Sequence, residues 1–234
     1  MAHTTPSRRT FLKTSALAGG GLVVGAYLPG LTGHAAAAGV FEPNIWVRIG
    51  SDDSVRVLLT QLEMGQGVMT SMPMLVAEEL DVDWNKVTTE WVGANAAYAN
   101  PSLGQQLTAG SNSVRSYWKP LREAGAAARA MLIAAGAQTW GVPAAGCTTA
   151  KGEVIHAATG RRARYGALVD KAAALPVPQQ VRLKDPGEFQ LLGRSLARLD
   201  VPEKVNGAAV YGIDISRPGM LIARVVRCPV FGGT

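Results

Sequence analysis

Residues 44–60 read NIWVRIGSDDSVRVLLT, and the strand pattern of this segment is the main evidence for the fold class. Apolar residues alternate with polar ones over Asn44–Gly50 and return over Val55–Thr60 after a polar turn, which predicts a β-hairpin. Apolar residues at helical spacing over Val68–Leu80 predict a helix, and alternation over Lys86–Val92 predicts a third strand. Because a helix connects the second strand to the third, we predict an α+β fold in which helices pack on a mixed sheet.

A long polar loop and a long helix come next. Residues 93–110 are rich in Asn, Gly and Ala and are too long for a plain connection, and long loops in compact domains usually carry function. Ser111–Trp140 is rich in alanine and has an apolar face at helical spacing, which predicts one long helix. The pattern then predicts a short hairpin over Thr148–Ala157 and a short helix over Tyr165–Ala174.

The carboxyl-terminal part of the sequence indicates a linker and a second module. Prolines stiffen Leu175–Pro186, while Val210–Ile215 and Met220–Val226 predict strands. Since the sequence stops at Thr234 directly after such a strand, we expect the amino-terminal piece of a longer protein. The predicted segments are a leader (residues 1–38), a first domain (39–175), a linker (176–189) and the start of a second domain (190–234).

An export signal opens the sequence. Ser7–Lys13 reads SRRTFLK, and glycines and a proline interrupt the apolar stretch Ala16–Leu31, so that stretch is too broken for a membrane-spanning helix. This pattern predicts a twin-arginine signal cleaved near Ala36 or Ala38, the twin-arginine translocase as a partner, and a periplasmic location. The alternatives are an uncleaved amphipathic anchor and a chance pair of arginines. Because this route exports folded proteins, most often with a cofactor inside, the signal also predicts a cofactor site.

Composition argues against several kinds of site. Loss of the leader removes three positive charges and no negative one, so the net charge falls from +6 to +3, and without a basic, aromatic-studded run we predict no nucleic-acid partner. Cys147 and Cys228 are too few for a metal site or a disulfide framework, so we predict two free, partly buried thiols. Only His156 lies outside the leader, which predicts no metal held by histidines. Glu78 and Glu79 are adjacent on the predicted first helix, so we expect them to face solvent and assign them no catalytic role.

Two segments carry residue types that hold an anionic ligand. Glu63–Gly67 reads EMGQG at a strand-to-helix junction, where glycines expose backbone amides at the positive end of a helix. Gln105–Ser113 reads QQLTAGSNS and opens the long helix with hydroxyl and amide side chains. We expect both segments to converge on one cleft for an anionic cofactor. For either segment alone the alternative is a tight turn or a helix cap, and neither matches a P-loop or a Rossmann pattern.

These motifs resemble those of a known enzyme family. Glu63–Thr70 and Thr108–Ser113 resemble the molybdopterin-binding region of the xanthine oxidase family. Arg198–Met220 resembles the start of the α/β hammerhead domain of that family. The molybdopterin-binding motifs come first and follow a twin-arginine signal, an order similar to that of the large (beta) subunits of isoquinoline 1-oxidoreductase and related periplasmic aldehyde dehydrogenases.

The resemblance implies a cofactor and a reaction. The cofactor would be molybdopterin cytosine dinucleotide with molybdenum, and the reaction would be oxidation of an N-heteroaromatic compound or an aldehyde with water as the oxygen source. Electrons would leave through a small subunit that carries two-iron two-sulfur clusters, and the catalytic glutamate would lie outside this chain. The other interpretations are an exported protein that holds a small ligand without redox chemistry, and an inactive truncated product. The residues that would bind the cofactor are Gly65, Gln66, Gly67, Thr108, Gly110, Ser111, Asn112 and Ser113.

We predict that export requires both arginines of the signal. Changing Arg8 and Arg9 together to lysine keeps the charge but removes the twin-arginine pattern, so precursor should accumulate in the cytoplasm. Immunoblots of cytoplasmic and periplasmic fractions measure this, with Lys13→Arg as a charge-matched control. Normal periplasmic accumulation of the double variant would contradict the assignment.

Overall fold

A computed structural model describes residues 21–26 and 44–233 of the chain. The elements from the first hairpin to the long helix lie within two residues of their predicted limits, and the predicted α+β fold class is confirmed. Within the described residues, no helix combines the length and the apolar character needed to cross a membrane. The elements are β1 (Gly21–Ala26), β2 (Asn44–Gly50), β3 (Val55–Leu59), α1 (Val68–Leu80), β4 (Val87–Trp91), α2 (Ser113–Trp140), β5 (Cys147–Ala150), β6 (Glu153–His156), β7 (Arg161–Arg164), α3 (Val169–Ala173) and α4 (Val201–Asn206).

The first sheet has the strand order β1-β2-β3-β4. Strands β2 and β3 form the predicted antiparallel hairpin, with Val47 opposite Val57. The Gly50 amide closes its turn by donating to the Ser54 carbonyl at 2.8 Å. Strand β4 pairs in parallel with β3, because α1 crosses over between them. The mixed sheet that the sequence predicts is therefore present.

Strand β1 lies in the stretch predicted to be the apolar part of the leader. It pairs antiparallel with β2, with a register shift between Val24 and Gly25. The twin-arginine motif at Ser7–Lys13 and the predicted cleavage site near Ala36 or Ala38 lie outside the described residues. Cleavage of the leader stays a prediction, and it would leave β2 at the edge of the sheet.

The core lies between the first sheet and helices α1 and α2. Trp46 of β2 meets Tyr117 of α2 edge to face, with ring centroids 5.4 Å apart. The two helices approach closely at Gly125, where an added Cβ atom would lie 2.5 Å from the Val76 carbonyl oxygen, so only glycine fits there. The largest fully buried side chains are Trp46, Tyr117, Tyr165, Ile49, Leu58, Leu59, Met72, Leu75, Leu80, Leu121 and Leu132.

A second sheet, of order β5-β6-β7, packs beside α2. The predicted hairpin is confirmed as β5 and β6, which turn at Lys151 and Gly152. The sequence did not predict β7, because RRAR has no apolar face and only Ala163 is partly buried. Both cysteines are free, as predicted, but partial burial is wrong, since Cys147 is buried and Cys228 is exposed.

Glu78 and Glu79 are buried, so the prediction that they face solvent is wrong. Arg122 Nε donates to Glu79 Oε1 at 2.8 Å, and Lys184 Nζ donates to Glu78 Oε1 at 2.7 Å. Glu78 Oε2 also accepts the backbone amides of residues 190–192, at 2.9, 2.6 and 3.0 Å. A carboxylate can be buried only with such partners. These partners are far away in the sequence, so the local helical pattern could not reveal them.

The stretch predicted to be a linker is bonded to α1. The Lys184 amide donates to Glu79 Oε2 at 3.1 Å, in addition to the side-chain contact with Glu78. We call residues 182–192, which make these contacts, the strap. The first compact unit ends at Arg198 and the second runs from Leu199 to the end of the chain. The boundary predicted near residue 190 therefore falls in a segment that is packed on the first unit.

The second unit contains little regular structure. Helix α4 ends at Asn206, its C-cap residue Gly207 is left-handed, and a 3-10 turn follows at Gly212–Asp214. The strands predicted at Val210–Ile215 and Met220–Val226 are wrong, because residues 199–233 contain no strand. A strand needs a hydrogen-bonded neighbour, and the apolar side chains of both segments are exposed. The hammerhead assignment stays a prediction.

We predict that Glu79→Gln lowers the free energy of unfolding by about 3–5 kcal/mol, because it leaves the guanidinium group of Arg122 without its buried counter-charge and removes one of the two carboxylates beside Arg129. Urea denaturation followed by circular dichroism measures this. Glu90→Gln is the matched control, since Glu90 also has two arginine partners but is 39% exposed, and should cost less than about 1 kcal/mol. Equal losses in the two variants would contradict the prediction.

Candidate cofactor-binding site

Two loops meet at the amino-terminal ends of α1 and α2. The first loop, residues 61–67, joins β3 to α1, and the second loop, residues 105–112, leads into α2. The backbone amide of Leu62 donates to the hydroxyl of Thr108 at 2.8 Å. The two segments that the sequence singles out are therefore adjacent in space, as expected.

A buried side-chain hydrogen bond also connects the first loop to the start of α2, and further buried polar groups lie near it. The hydroxyl of Ser113, the first residue of α2, donates to Gln61 Oε1 at 3.0 Å, and Gln61 is fully buried. The Tyr117 hydroxyl, one turn farther along α2, donates to the Tyr98 carbonyl at 3.2 Å, and burial raises the pKa of Tyr117. Nearby in the sequence, Thr60 Oγ1 is buried and has no hydrogen-bond partner in the part of the chain that the structure describes.

The backbone leaves the start of α2 open to a ligand. Gly110 and Ser111 are both left-handed, with φ of 61° and 51°, and turn the chain into the helix. Asn112 is the N-cap residue, but its side chain caps nothing and its Oδ1 accepts from Asn100 Nδ2 at 3.2 Å. The first amides of this 28-residue helix therefore have no side-chain cap. Such a helix end attracts anions.

The first turn of α2 carries a positive charge where a negative one is usual. It contains no acidic residue, and Arg115 is exposed there. A cation beside the positive end of a helix is unfavourable unless an anion binds next to it. Sequence reasoning missed Arg115, although a basic residue in the first turn of a predicted long helix was an available signal. We add Arg115 to the candidate site.

The first loop is bonded to itself through Glu63. Glu63 Oε1 accepts the amides of Gly65 at 2.7 Å and Gly67 at 3.0 Å, and Oε2 accepts the amide of Met69 at 3.0 Å. Both glycines are left-handed, with φ of 104° and 85°, and no atom lies within 4 Å of a Cβ placed on either one. The amides predicted to meet the cofactor are therefore held by Glu63, whereas the open side of each glycine allows close approach of a ligand.

The side chain of Gln66 is also used within the first loop. Gln66 Oε1 accepts the Met64 amide at 2.6 Å, and Gln66 Nε2 donates to the Leu62 carbonyl at 2.8 Å. Two apolar side chains of this loop are exposed as well, Leu62 by 64% and Met64 by 70%. Contact of this loop with a dinucleotide stays a prediction.

Arg198 closes the first loop. Its Nη1 donates to the Gly65 carbonyl at 2.9 Å, and its Nη2 lies 3.2 Å from Glu63 Oε1. The Glu63 side chain is only 7% exposed, so this guanidinium offsets the cost of burying its charge.

The donor set of this region fits an anionic cofactor. The uncapped end of α2, the Arg115 guanidinium and the hydroxyl of Ser111 all favour negative groups, and the open side of Gly65 admits a ligand at close range. None of these groups is a metal ligand of the usual kind. A metal here would therefore be held by the cofactor rather than by these side chains.

A family match covers both loops. Residues 6–217 match the family described as molybdopterin cofactor-binding domain. The chain belongs to this family. The resemblance found in the sequence motifs is thereby confirmed.

Similar curated proteins are oxidoreductases by name. The chain is 37% identical over 226 residues to the beta subunit of isoquinoline 1-oxidoreductase from Brevundimonas diminuta, covering 82% of this chain and 29% of that protein. It is 35% identical over 241 residues to the membrane-bound aldehyde dehydrogenase (pyrroloquinoline-quinone) of Gluconacetobacter polyoxogenes, covering 97% and 30%. It is 30% identical over 192 residues to a subunit of nicotinate dehydrogenase from Pseudomonas putida, covering 82% and 16%.

The chain spans less than a third of the length of each of these relatives. Among solved structures it is similar to quinoline 2-oxidoreductase from Pseudomonas putida 86, with a TM-score of 0.43, 17% sequence identity, and coverage of 56% of this chain and 16% of that chain.

We predict that the hydrogen bond between the loops depends on the Thr108 hydroxyl. Thr108→Val keeps the shape but removes the acceptor of the Leu62 amide, so stability should fall by about 1 kcal/mol and hydrogen exchange at Leu62 should accelerate. Thr108→Ser keeps the hydroxyl and serves as the control. Hydrogen exchange at the Leu62 amide can be measured by NMR or mass spectrometry. A Leu62 amide as well protected in Thr108→Val as in the wild type would contradict the contact.

Proposed function

We propose that this chain binds molybdopterin cytosine dinucleotide with its molybdenum, as part of the large subunit of an exported molybdenum hydroxylase. The observation that carries the proposal is the meeting of the two loops at Leu62 and Thr108, in a chain of the molybdopterin cofactor-binding domain family. Each loop opens a helix, and because Glu63 holds the amides at the start of α1, the positive end of α2 and the hydroxyls of the second loop are the groups left for an anion.

The second loop supplies the groups that suit the phosphates. Gly110, Ser111 and Asn112 lead into the uncapped end of α2, where backbone amides and the Arg115 guanidinium would hold negative oxygens. Ser113 and Thr108 are engaged with the first loop, so their role is to fix the spacing of the two loops as well as to line the site. On the other side, the first loop would approach the cofactor through the open faces of Gly65 and Gly67.

The proposed reaction is oxidation of an N-heteroaromatic compound or an aldehyde with water as the oxygen source. The names of the relatives, which refer to isoquinoline, aldehyde and nicotinate, support this substrate class. When bound, the molybdenum cofactor supplies the redox chemistry of such a hydroxylation. The residues of this chain bind and orient the cofactor. We assign none of them as the catalytic base.

Partners and location follow from the same proposal. Two of the relatives are named as single subunits of their enzymes, which supports an enzyme of several subunits, and we propose an iron-sulfur small subunit with two-iron two-sulfur clusters as the electron acceptor. The SRRTFLK motif supports export by the twin-arginine translocase to the periplasm, after the cofactor has been inserted in the cytoplasm.

We predict that Arg115→Ala weakens retention of the cofactor about tenfold, because it removes a charge-assisted contact with a phosphate. Ser111→Ala removes one hydroxyl and should have a smaller effect. Molybdenum by mass spectrometry and cytosine nucleotide released by acid, both per protein chain, are the measurements. Arg161→Ala is the matched control, since Arg161 donates to the Trp140 carbonyl at the opposite end of α2.

Two outcomes would contradict the proposed function. One is the absence of molybdenum and cytosine nucleotide in protein made with ample molybdate. The other is full cofactor content in both Arg115→Ala and Ser111→Ala. In either case an exported ligand-binding protein would explain the loops better.

A further inference from the structure

The Glu63 carboxylate already occupies the anion-binding position of the first loop. It accepts the amides of Gly65, Gly67 and Met69, and Met69 is the second residue of α1. The N-cap residue Gly67 has no side chain with which to cap the helix. Glu63 therefore provides the cap that the sequence of the helix start lacks, and its negative charge lies at the positive end of α1.

The binding of Glu63 is strong enough to compete with a ligand. Three amide donors and the Arg198 guanidinium surround a carboxylate that is only 7% exposed. A phosphate that displaced this carboxylate would have to replace all of these bonds and would leave a negative charge next to it. Displacement is therefore unfavourable, and a second anion binds more easily elsewhere.

We propose that Glu63 is a positioning residue that holds the first loop in shape with an internal anion and so directs the phosphate groups of the cofactor to the second loop. This inference rests on the proposed function and divides the site into two parts. The first loop, with its polar atoms bonded internally and Leu62 and Met64 exposed, meets uncharged parts of the ligand. The start of α2, with Arg115, takes the negative charge.

The first test compares Glu63→Gln with Glu90→Gln, an exposed glutamate that pairs with arginines outside the site. Glutamine has one acceptor oxygen where glutamate has two and carries no charge, so hydrogen exchange over residues 64–69 should accelerate about tenfold. Exchange over residues 113–118 should stay as in the wild type, and Glu90→Gln should change neither region. Unchanged protection of residues 64–69 in Glu63→Gln would overturn the proposal.

The second test asks whether Glu63 only positions the first loop or whether its carboxylate occupies a site that phosphate takes when the cofactor binds. Binding of inorganic pyrophosphate to the cofactor-free protein is measured by calorimetry. The proposal expects Glu63→Gln to bind pyrophosphate no more tightly than the wild type and Arg115→Ala to bind it about tenfold more weakly. Tighter binding by Glu63→Gln would mean that phosphate competes with the carboxylate, and would overturn the proposal.

The third test asks whether a carboxylate alone organises the loop. In Glu63→Ala, added formate should restore protection of residues 64–69, whereas chloride at the same ionic strength should not. Failure of formate to restore it would count against Glu63 as the organising anion. Absence of molybdenum from the wild-type protein would contradict the proposed function but would not change these exchange results. A failure of the proposed function can therefore be distinguished from a failure of the inference about Glu63.

Discussion

Both halves of the candidate site depend on the contact between α1 and α2. The helices touch at Gly125, where a Cβ atom would lie 2.5 Å from the Val76 carbonyl oxygen, and the buried Glu79–Arg122 pair joins them close by. Because the first loop opens α1 and the second loop opens α2, helix packing sets the distance between the loops. The hydrogen bond from Leu62 to Thr108 contributes only about 1 kcal/mol, so helix packing, more than this bond, holds the loops together.

The same helix pair fixes the strap through buried charge. Burial alone would raise the pKa of Glu78, but the Lys184 ammonium and the amides of Leu192 and Leu191 outweigh burial and hold that pKa below its ordinary value. A lowered pKa in the folded state means that Glu78 stabilises the fold at neutral pH and loses this contribution as the pH falls through the lowered pKa. The strap is therefore bonded to α1 through two buried carboxylates, although its sequence looks like a linker.

Local patterns in the sequence were sufficient for the elements that surround the site. Alternation and helical spacing gave β2, β3, α1, β4 and α2, since each has one face in the core. Glycines next to helix starts also located both loops. Sequence reasoning failed where the deciding partner is distant, as for Glu78 and Glu79 with the strap. It also failed where an apolar segment has no strand to pair with, as in Met220–Val226.

The first loop is another case in which the sequence did not reveal the partner of a polar group, here the backbone amides of its glycines. The sequence indicates that Gly65 and Gly67 expose backbone amides at a helix start, and it predicts no role for the side chain of the neighbouring Glu63. In the structure the glutamate turns back onto those amides, which only the three-dimensional path of residues 63–69 and the arrival of Arg198 could reveal. Glycines at a helix start therefore indicate an anion-binding site. They do not show whether the anion is a carboxylate of the protein itself or a group of a ligand.

That distinction makes the candidate site asymmetric. The positive end of α1 is neutralised by the protein itself, whereas the positive end of α2 has no acidic residue in its first turn and has Arg115 beside it. An elongated ligand with phosphates at one end and an uncharged ring at the other has one favourable orientation across such a pair of loops, because only one end of the site still attracts negative charge. Two similar glycine-bearing loops can thus orient a cofactor because one of them already contains its own anion.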